Sequence, residues 1–542
     1  MKHIINKIGI VLAGIALFYS CVDLDTFPEG GTITAEQNQT IGNAIPERVA
    51  AQVSGMFTII GKQYCVFGSA QSRDDDFGYP AVCLSQDLNG PDMTCVDDGY
   101  NWFTVSSDYT DRDDGYANPY MRYAVFYKQI QTANTILSSI DEDTENPTLQ
   151  AYRAQAKAVR AFDYLSLVPY YQFKYKGHEN DLAVPIVSSE ISTKGIPRAP
   201  MSDVYKLIME DLNDAIKGLE GYTRSSKGEI DQNVAYGIRA RANLYMENWS
   251  AAAEDADKAL RGYEPYSISE LSKPGFIDAN EHAWMWGILI GPDKVPDAYP
   301  SWPAKISSFS GDAYTAAVGC YKTINKILFD LIPASDVRKG WWVDENLHSN
   351  NLASVTWNGV SGDKVASLEI DEIKIPFLPY TNVKFGQYGG PGSTVNAGDW
   401  CIMRCEEMIL IKAEGLAMSG GDGRSVLENF IRTYRDPQYI CFASSGADLQ
   451  NEIWKQRRIE LWGEGFSMSD IMRLNKNIVR VVKGKETNIS TRFQFNITAG
   501  DKWLLLRFPK QETNSNPDVV QNTGGSQPVE GNGADLKDGI TD

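Results

Sequence analysis

The sequence is short of histidine and of positive charge, and both shortages exclude classes of function. Its four histidines, among 542 residues, form no pair or cluster. Metal catalysis by histidine ligands and Ser-His-Asp chemistry therefore do not fit the sequence. The formal net charge of −19 argues against a nucleic-acid partner and against adhesion to anionic lipid, because both need a basic surface.

No second apolar run approaches the length of a membrane-spanning helix, so contact with a membrane is expected only through the N-terminal segment. Lys2 and Lys7 flank the start of the apolar run Ile8–Phe18, which is too short to span a bilayer, and a small residue then precedes Cys21. This pattern predicts a lipoprotein signal peptide over residues 1–20, with lipid on the sulfur of Cys21. An ordinary secretory signal peptide that ends beside a chance cysteine is the alternative, and either one exports the chain.

A disulfide framework is not indicated either. Seven cysteines follow Cys21, and an odd number leaves at least one thiol without an intramolecular partner. Their spacing fits no zinc site, and Cys401 and Cys405 lie four residues apart in an expected helix, where a disulfide is poorly favoured. We therefore expect buried free thiols. The seven are Cys65, Cys83, Cys95, Cys320, Cys401, Cys405 and Cys441.

Helical periodicity dominates what the sequence does contain. It predicts helices over residues 121–140, 148–170, 198–220, 232–247, 250–261, 403–418, 426–434 and 449–474. Small residues of 232–247 face those of 250–261 across a short turn, so two antiparallel helices can approach closely, as in a tetratricopeptide hairpin. Residues 62–120 and 265–400 read instead as irregular, loop-like segments with many aromatic side chains.

The fold class that follows is mainly α, a scaffold of tetratricopeptide-like helical hairpins with a large irregular, loop-rich insertion. A tether over residues 21–45 leads into a folded domain over 46–542. The domain is divided into an N-terminal part with the hairpins (46–264), a loop-rich region expected to bind the ligand (265–400), and C-terminal helices with a tail (401–542). The tail from Gln511 onward is rich in Asn, Gly and Pro and is expected to wrap the surface or to be mobile.

Motifs spread over nearly the whole chain occur together in one order, and their combination is more specific than any one of them. They are Cys21–Asp25 with Pro28 and Gly30, Tyr127–Asn134, Arg153–Tyr171 with Val184–Ile186, Pro197 and Arg198, Val204 and Tyr205 with Asp211 and Leu212, Met408–Glu414, Arg457–Leu461 with Glu464 and Gly465, and Phe508, Pro509, Asn516, Pro517, Gln521 and Asn522. In this combination the chain resembles the SusD/RagB family of outer-membrane nutrient-binding lipoproteins of Bacteroides-type bacteria.

The resemblance implies a non-enzymatic, lipid-anchored protein on the outer face of the outer membrane. Such a protein captures an extracellular oligomer, usually a glycan, and delivers it to a SusC-like TonB-dependent transporter, with no cofactor. A RagB-like preference for peptides is the alternative within the family. A surface glycoside hydrolase with two catalytic carboxylates is the alternative from another class.

Two aromatic loop segments have the composition of a sugar-binding site. Flat rings cover the apolar faces of a sugar, while neighbouring polar side chains bond to its hydroxyls. The candidate residues are Tyr100, Asn101, Trp102, Tyr109 and Arg112 in the first segment, and Tyr299 and Trp302 in the second. Asn101 and Trp102 are the first choice, as a ring beside an amide. Trp341 and Trp342 are further candidates, whereas Trp284 and Trp286 alternate in a strand-like run that favours core packing.

Charged residues outside these loops are expected to be structural. Arg457, Arg458, Glu460 and Glu464 have one-turn spacings, which favour helix-surface or buried ion pairs over a catalytic site. The acidic run Asp111–Gly115 and the nearby Asp74–Asp76 are similar to calcium loops but lack the full ligand pattern, so solvated acidic loops are favoured and a structural calcium ion stays open.

Overall fold

The computed structural model describes residues 35–97, 102–189, 194–444, 446–531, 533, 535–536 and 539–541. The longer helices are α1 (Ala35–Ala44), α2 (Pro46–Ile59), α3 (Tyr79–Asn89), α4 (Ala117–Ser138), α5 (Pro147–Tyr171), α6 (Met201–Gly218), α7 (Gln232–Tyr245), α8 (Trp249–Ala259), α9 (Cys405–Ser419), α10 (Gly423–Tyr434), α11 (Gly446–Glu460) and α12 (Ser467–Leu474). The mainly helical fold class is confirmed.

The helices pack as neighbours in chain order, and this order builds the scaffold. Helix α4 packs on α5, α5 on α6, α6 on α7 and α7 on α8, while α8 packs on α9 across a gap of more than a hundred residues. The α8–α9 contact is close because Gly415 has no side chain. A Cβ at that position would lie 2.5 Å from the carbonyl oxygen of Trp249.

The strands are short and form two-stranded antiparallel pairs. Their bounds are β1 (Met93–Thr94), β2 (Leu182–Pro185), β3 (Arg198–Pro200), β4 (Trp284–Ile288), β5 (Thr323–Ile324), β6 (Thr356–Trp357), β7 (Val360–Ser361), β8 (Trp400–Arg404), β9 (Ile478–Val479) and β10 (Asn496–Ile497). The pair β4–β8 runs from Trp284 opposite Arg404 to Ile288 opposite Trp400. It therefore ties the loop-rich region to the start of α9. Trp284 and Trp286 are buried there, as expected of core residues.

Three predicted boundaries were wrong. Residues 35–44, expected to belong to the tether, form α1, and residues 79–89, expected to be loop, form the fully buried helix α3. The predicted helix over 449–474 is broken between α11 and α12, where Gly463 and Gly465 take positive φ values of 81° and 88°. The hydrophobic pattern continues across the break. A prediction from periodicity alone therefore treats the two helices as one.

A buried network of ion pairs lies at the centre of the C-terminal part. The Glu460 carboxylate accepts from Arg404 at 2.7 Å, from Arg435 at 2.7 Å and from Arg338 at 3.2 Å. Arg404 also reaches Glu464 at 2.9 Å. The prediction that Glu460 and Glu464 form ion pairs is confirmed, and their partners come from distant parts of the chain.

The C-terminal tail is bonded to the end of α5. The backbone N–H of Leu506 donates to the carbonyl of Tyr170 at 2.7 Å, and the Asn522 amide donates to the carbonyl of Tyr171 at 3.0 Å. Arg198 donates to Asn522 at 2.9 Å. Of the predicted tail from Gln511 onward, the part around Asn522 is therefore held against the folded domain, which is the first of the two outcomes that the sequence left open.

The seven cysteines after Cys21 are all free and buried, which confirms the thiol prediction. Within the described ranges, no helix is long and apolar enough to cross a membrane. The first 34 residues, including Cys21, lie outside the described residues. The predicted lipidation therefore stays a prediction.

Candidate functional site

The two predicted aromatic segments meet at a third ring, Tyr314. Tyr299 is 40% exposed, and its ring centroid lies 5.1 Å from that of Tyr314 at an angle of 37°. On the other side, the side chain of Trp102 lies within hydrogen-bonding reach of the Tyr314 hydroxyl. Trp102, Tyr314 and Tyr299 are therefore neighbouring side chains, and this set of three is called here the aromatic face.

Polar side chains lie along one edge of the aromatic face. The Tyr314 hydroxyl donates to Asp74 at 2.8 Å, and the guanidinium of Arg73 lies 5.4 Å from the centroid of the Trp102 ring. Arg73 is held in place by two hydrogen bonds to Asp75, of 2.9 and 2.8 Å. The edge therefore offers both a carboxylate acceptor and a guanidinium donor within reach of anything stacked on the rings.

Two amide side chains fix the loop that carries Tyr299. Gln63, just after α2, donates to the carbonyl of Asp297 at 2.6 Å and accepts from its N–H at 3.2 Å. The buried Asn396 donates to the carbonyls of Ala298 and Asp312, both at 2.8 Å. Because these bonds hold the loop from both sides, the ring of Tyr299 is positioned before any ligand arrives.

The charges around the aromatic face shift the pKa values of its neighbours. Hydrogen bonding to Asp312, together with burial, raises the pKa of Tyr299. Lys305 is buried beneath Tyr314, with its Nζ 4.2 Å from the ring centroid, and burial lowers its pKa to about 7 against the opposing charge of Asp74. The two tyrosine hydroxyls therefore stay protonated at neutral pH and donate to these aspartates, which leaves their oxygens as acceptors.

Three predicted binding residues are corrected by their burial. Tyr109 packs in the core and donates to the carbonyl of Asn89 at 2.6 Å. Arg112 is buried in an ion pair with Asp111 at 2.7 Å. Trp302 is 2% exposed and donates to the carbonyl of Gly398 at 2.7 Å. None of the three can touch a ligand in this conformation.

The remaining predicted residues divide between described and undescribed positions. Trp102 and Tyr299 lie on the aromatic face, whereas Tyr100 and Asn101 lie outside the described residues. The further candidates Trp341 and Trp342 are buried. Whether a ligand binds at these positions stays a prediction.

Sequence reasoning missed Tyr314 and Arg73. Tyr314 starts a short helix, Tyr314–Val318, in a region that reads as irregular, and no local motif distinguishes it from the other tyrosines there. Arg73 precedes the acidic run Asp74–Asp76, which drew attention as a calcium loop. Only the fold brings both of them to Trp102.

The two acidic runs make internal bonds instead of presenting a shared set of ligands. Asp111 pairs with Arg122 at 2.6 Å as well as with Arg112, and Asp76 accepts from the backbone N–H groups of Val66 and Phe67. Among the described residues, no group of three or more His, Cys, Asp or Glu side chains could hold a metal ion. The calcium hypothesis stays untested.

Chemically, the aromatic face suits a flat, hydroxylated ligand. Aromatic rings stack on the C–H faces of sugars, and the carboxylate and guanidinium at the edge can pair with hydroxyls. The rings lie on loops held by a rigid helical scaffold, which is where binding residues are usually found.

Comparison with known proteins agrees with this architecture. Residues 83–244 match a SusD-like family model described as "Starch-binding associating with outer membrane", and residues 376–524 match the model of the SusD family. A SusD-like protein of Formosa agariphila is 22% identical over 392 residues, covering 66% of this chain and 73% of the relative.

Solved structures share the fold. A SusD-like carbohydrate binding protein from Bacteroides vulgatus is 23% identical with a TM-score of 0.72, covering 89% of this chain and 98% of that one. A laminarin binding SusD-like protein is 16% identical with a TM-score of 0.59, covering 88% of this chain and 99% of that one. The two family models together match more than half of the chain, and the chain belongs to the SusD family.

Proposed function

We propose that this protein binds an extracellular oligosaccharide on the aromatic face. The observation that carries the proposal is the meeting of Trp102, Tyr314 and Tyr299, from three separate segments of the chain, with Asp74 and Arg73 at their edge. The description of the matching family model as starch-binding, and the laminarin binding relative of the same fold, support a glycan as the ligand.

The proposal extends to where the protein works. The N-terminal pattern predicts a lipid on Cys21, and the matching family model is described as associating with the outer membrane. We propose that the lipid holds the protein on the outer face of that membrane. A SusC-like TonB-dependent transporter then receives the glycan, and the protein itself catalyses no reaction.

Affinity measurements on ring variants test the binding site. Isothermal titration calorimetry with laminarin and with amylopectin, each against the mature chain, identifies the glycan that binds. Trp102→Ala and Tyr299→Ala are each expected to weaken that binding about tenfold, because a stacked ring contributes about 1 kcal/mol or more. The melting temperature of Tyr299→Ala should change little, since this side chain is 40% exposed. Trp102 packs partly against the core, so Trp102→Ala is expected to lower the melting temperature somewhat, and its affinity is compared at a temperature well below the transition.

Phe442→Ala is the matched control, because its ring is 88% exposed and lies on the connection between α10 and α11. It should leave the affinity unchanged. Full affinity in the Trp102→Ala, Tyr299→Ala double variant would overturn the proposed site. A reducing-end assay with the same glycans should show no new ends, whereas turnover would favour a hydrolase, and binding of peptides alone would favour a RagB-like ligand.

A further inference from the structure

Three tyrosines at or beside the aromatic face each have the hydroxyl within hydrogen-bonding reach of an aspartate from another segment of the chain. The three pairs are Tyr314 with Asp74, Tyr299 with Asp312, and Tyr64 with Asp297. In the first pair the hydroxyl donates at 2.8 Å. Each carboxylate therefore keeps lone pairs that can accept further hydrogen bonds.

The three carboxylates lie around one small area, because Asp74 acts on the tyrosines of the other two pairs. Burial, the bond to Asp297 and the charge of Asp74 raise the pKa of Tyr64 to about 12. The bond to Asp312, burial and the charge of Asp74 raise the pKa of Tyr299. Asp74 and Asp312 are half-buried, and Asp297 is exposed. A ligand on the rings therefore lies beside carboxylates that solvent can reach.

The backbone that carries two of these carboxylates is held in place. The side chain of Gln63 bonds to both the carbonyl and the N–H of Asp297, at 2.6 and 3.2 Å. The carbonyl of Asp312 accepts from Asn396 at 2.8 Å, and its N–H donates to Ser310 at 3.3 Å. The negative charge is therefore a fixed property of the aromatic face.

Two cations at the aromatic face compensate little of this charge. The Nε and Nη2 of Arg73 donate to the two oxygens of Asp75 at 2.9 and 2.8 Å, so this pair has no net charge. The Nζ of Lys305 is buried beneath the ring of Tyr314, and burial lowers its pKa to about 7. At neutral pH, Lys305 therefore carries only part of a positive charge.

The exposed lysines nearest in sequence to Tyr64 and Asp297 lie at other contacts. Lys62 lines the groove between α2 and α4, beside Thr132. The Lys294 ammonium donates to the carbonyl of Leu289 at 2.9 Å. Neither lysine balances the carboxylates in the place where they stand.

We propose that the aromatic face selects uncharged glycans and excludes anionic ones, and that Asp74, Asp297 and Asp312 set this specificity. The inference rests on the proposed function, because it concerns the charge of the glycan bound on the same rings. The hydroxyls of a neutral sugar can donate to the three carboxylates. A uronic acid or a sulfated sugar brings another negative charge to a place that is already negative, and like charges held together weaken binding.

Glycans that differ only in charge test this specificity. Calorimetry on the mature chain compares laminarin with sulfated laminarin, and amylopectin with sulfated amylopectin. At an ionic strength of about 0.01 M, each sulfated form is expected to bind about tenfold more weakly than its neutral parent, or not at all. The difference should narrow at about 1 M, where the Debye length falls from about 30 Å to about 3 Å.

A pair of double variants assigns the effect to the carboxylates. Asp297→Asn with Asp312→Asn should lower the ratio of the sulfated to the neutral Kd by about fivefold. Glu142→Gln with Asp143→Asn removes the same charge from exposed positions after the C-terminal end of α4. This helix of 22 residues is about 33 Å long, and Asn118 in its first turn donates to Asp75. The control should therefore leave the ratio unchanged.

Asp297→Asn alone is the second variant, because this side chain is exposed, and it should lower the ratio in the same direction. Melting curves confirm that each variant is folded. Equal binding of neutral and sulfated glycans would overturn the specificity and leave the proposed function standing. So would an equal change of the ratio in the two double variants, because the net charge of the whole protein would then be the cause. Absence of binding by every glycan would overturn the proposed function, and this inference with it.

Discussion

At the scale of single residues, the most unusual group is Asp163 in the middle of α5. Its side chain is completely buried, and neither carboxylate oxygen has a hydrogen-bond partner within the described ranges. Burial alone raises the pKa of this carboxyl well above its ordinary value of 3.8. The folded protein therefore keeps Asp163 protonated under conditions in which the unfolded chain ionises it.

Asp163→Asn is expected to stabilise the protein at neutral pH. A raised pKa in the folded state means that stability falls as the pH rises from about 3.8, the unfolded value, towards the folded pKa, and the amide removes that loss. Thermal unfolding of both proteins between pH 4 and 8 should show a gain of about 1 kcal/mol or more at pH 7 that shrinks towards pH 4.

Asp143→Asn, at an exposed loop position, is the control and should show no such trend. Equal pH profiles for wild type and Asp163→Asn would mean that the Asp163 carboxyl has a partner in the folded protein.

Residue types alone were enough to predict part of the aromatic face. Trp102 and Tyr299 were chosen because aromatic residues in polar loops often contact ligands, and both lie on the aromatic face. The same reasoning selected Tyr109 and Trp302, which are buried. Composition cannot distinguish a ring that faces solvent from a ring that packs under a loop, because that depends on contacts such as the one between Trp302 and Gly398.

At the scale of elements, the turn between α11 and α12 requires a glycine at position 465. Gly465 has a φ of 88°, and its N–H donates to the carboxylate of Asp87 in α3 at 2.9 Å. A Cβ on Gly465 would lie 2.5 Å from the Cβ of Cys83, also in α3. The turn therefore needs glycine for its conformation and for its contact with a neighbouring helix.

Gly465→Ala is expected to lower the free energy of unfolding by about 3 kcal/mol, from backbone strain together with overpacking against α3. Gly55→Ala is the matched control, because Gly55 lies within α2 with open space around it and without a positive φ. That substitution should stabilise the protein by about 0.5–1 kcal/mol. Urea denaturation of the two variants measures both changes, and a similar small effect from both would contradict the role given to Gly465.

Helix positions were predictable from the sequence where amphipathic periodicity is strong. The predicted 232–247 and 250–261 match α7 and α8 within two residues at each end. Helix α3 was not predictable in this way, because it is buried on every side and so carries no polar stripe.

At the scale of the whole molecule, the buried ion pairs around Glu460 join segments that are far apart in the chain. Arg338, Arg404 and Arg435 come from the loop-rich region, from β8 and from the end of α10. Burial alone would raise the pKa of Glu460, but Arg435 and Arg404 hold it well below 4.5. The network fixes the loop-rich region against the C-terminal helices.

Glu460→Gln is expected to lower the free energy of unfolding by about 3 kcal/mol at pH 7, because it removes the one carboxylate that three buried guanidinium groups share and leaves each of them with fewer negative partners. A depressed pKa contributes stability above the unfolded value of about 4.5, and this contribution is lost as the pH falls. The deficit of the variant, measured by urea denaturation, should therefore shrink below about pH 4.5.

Glu210→Gln removes an exposed pair with Lys206, of 3.9 Å, and should change stability by less than about 1 kcal/mol. If both variants behaved alike, the Glu460 network would contribute little to holding the two regions together.

The bonds between the C-terminal tail and α5 also set the order in which the protein can mature. The carbonyls of Tyr170 and Tyr171 accept hydrogen bonds from Leu506 and Asn522, and Arg198 donates to the side chain of Asn522 as one of its several partners. During synthesis, the N-terminal helices are complete in sequence long before those partners exist. These particular bonds can therefore form only after the last part of the chain has been made, so the end of α5 gains its final partners late.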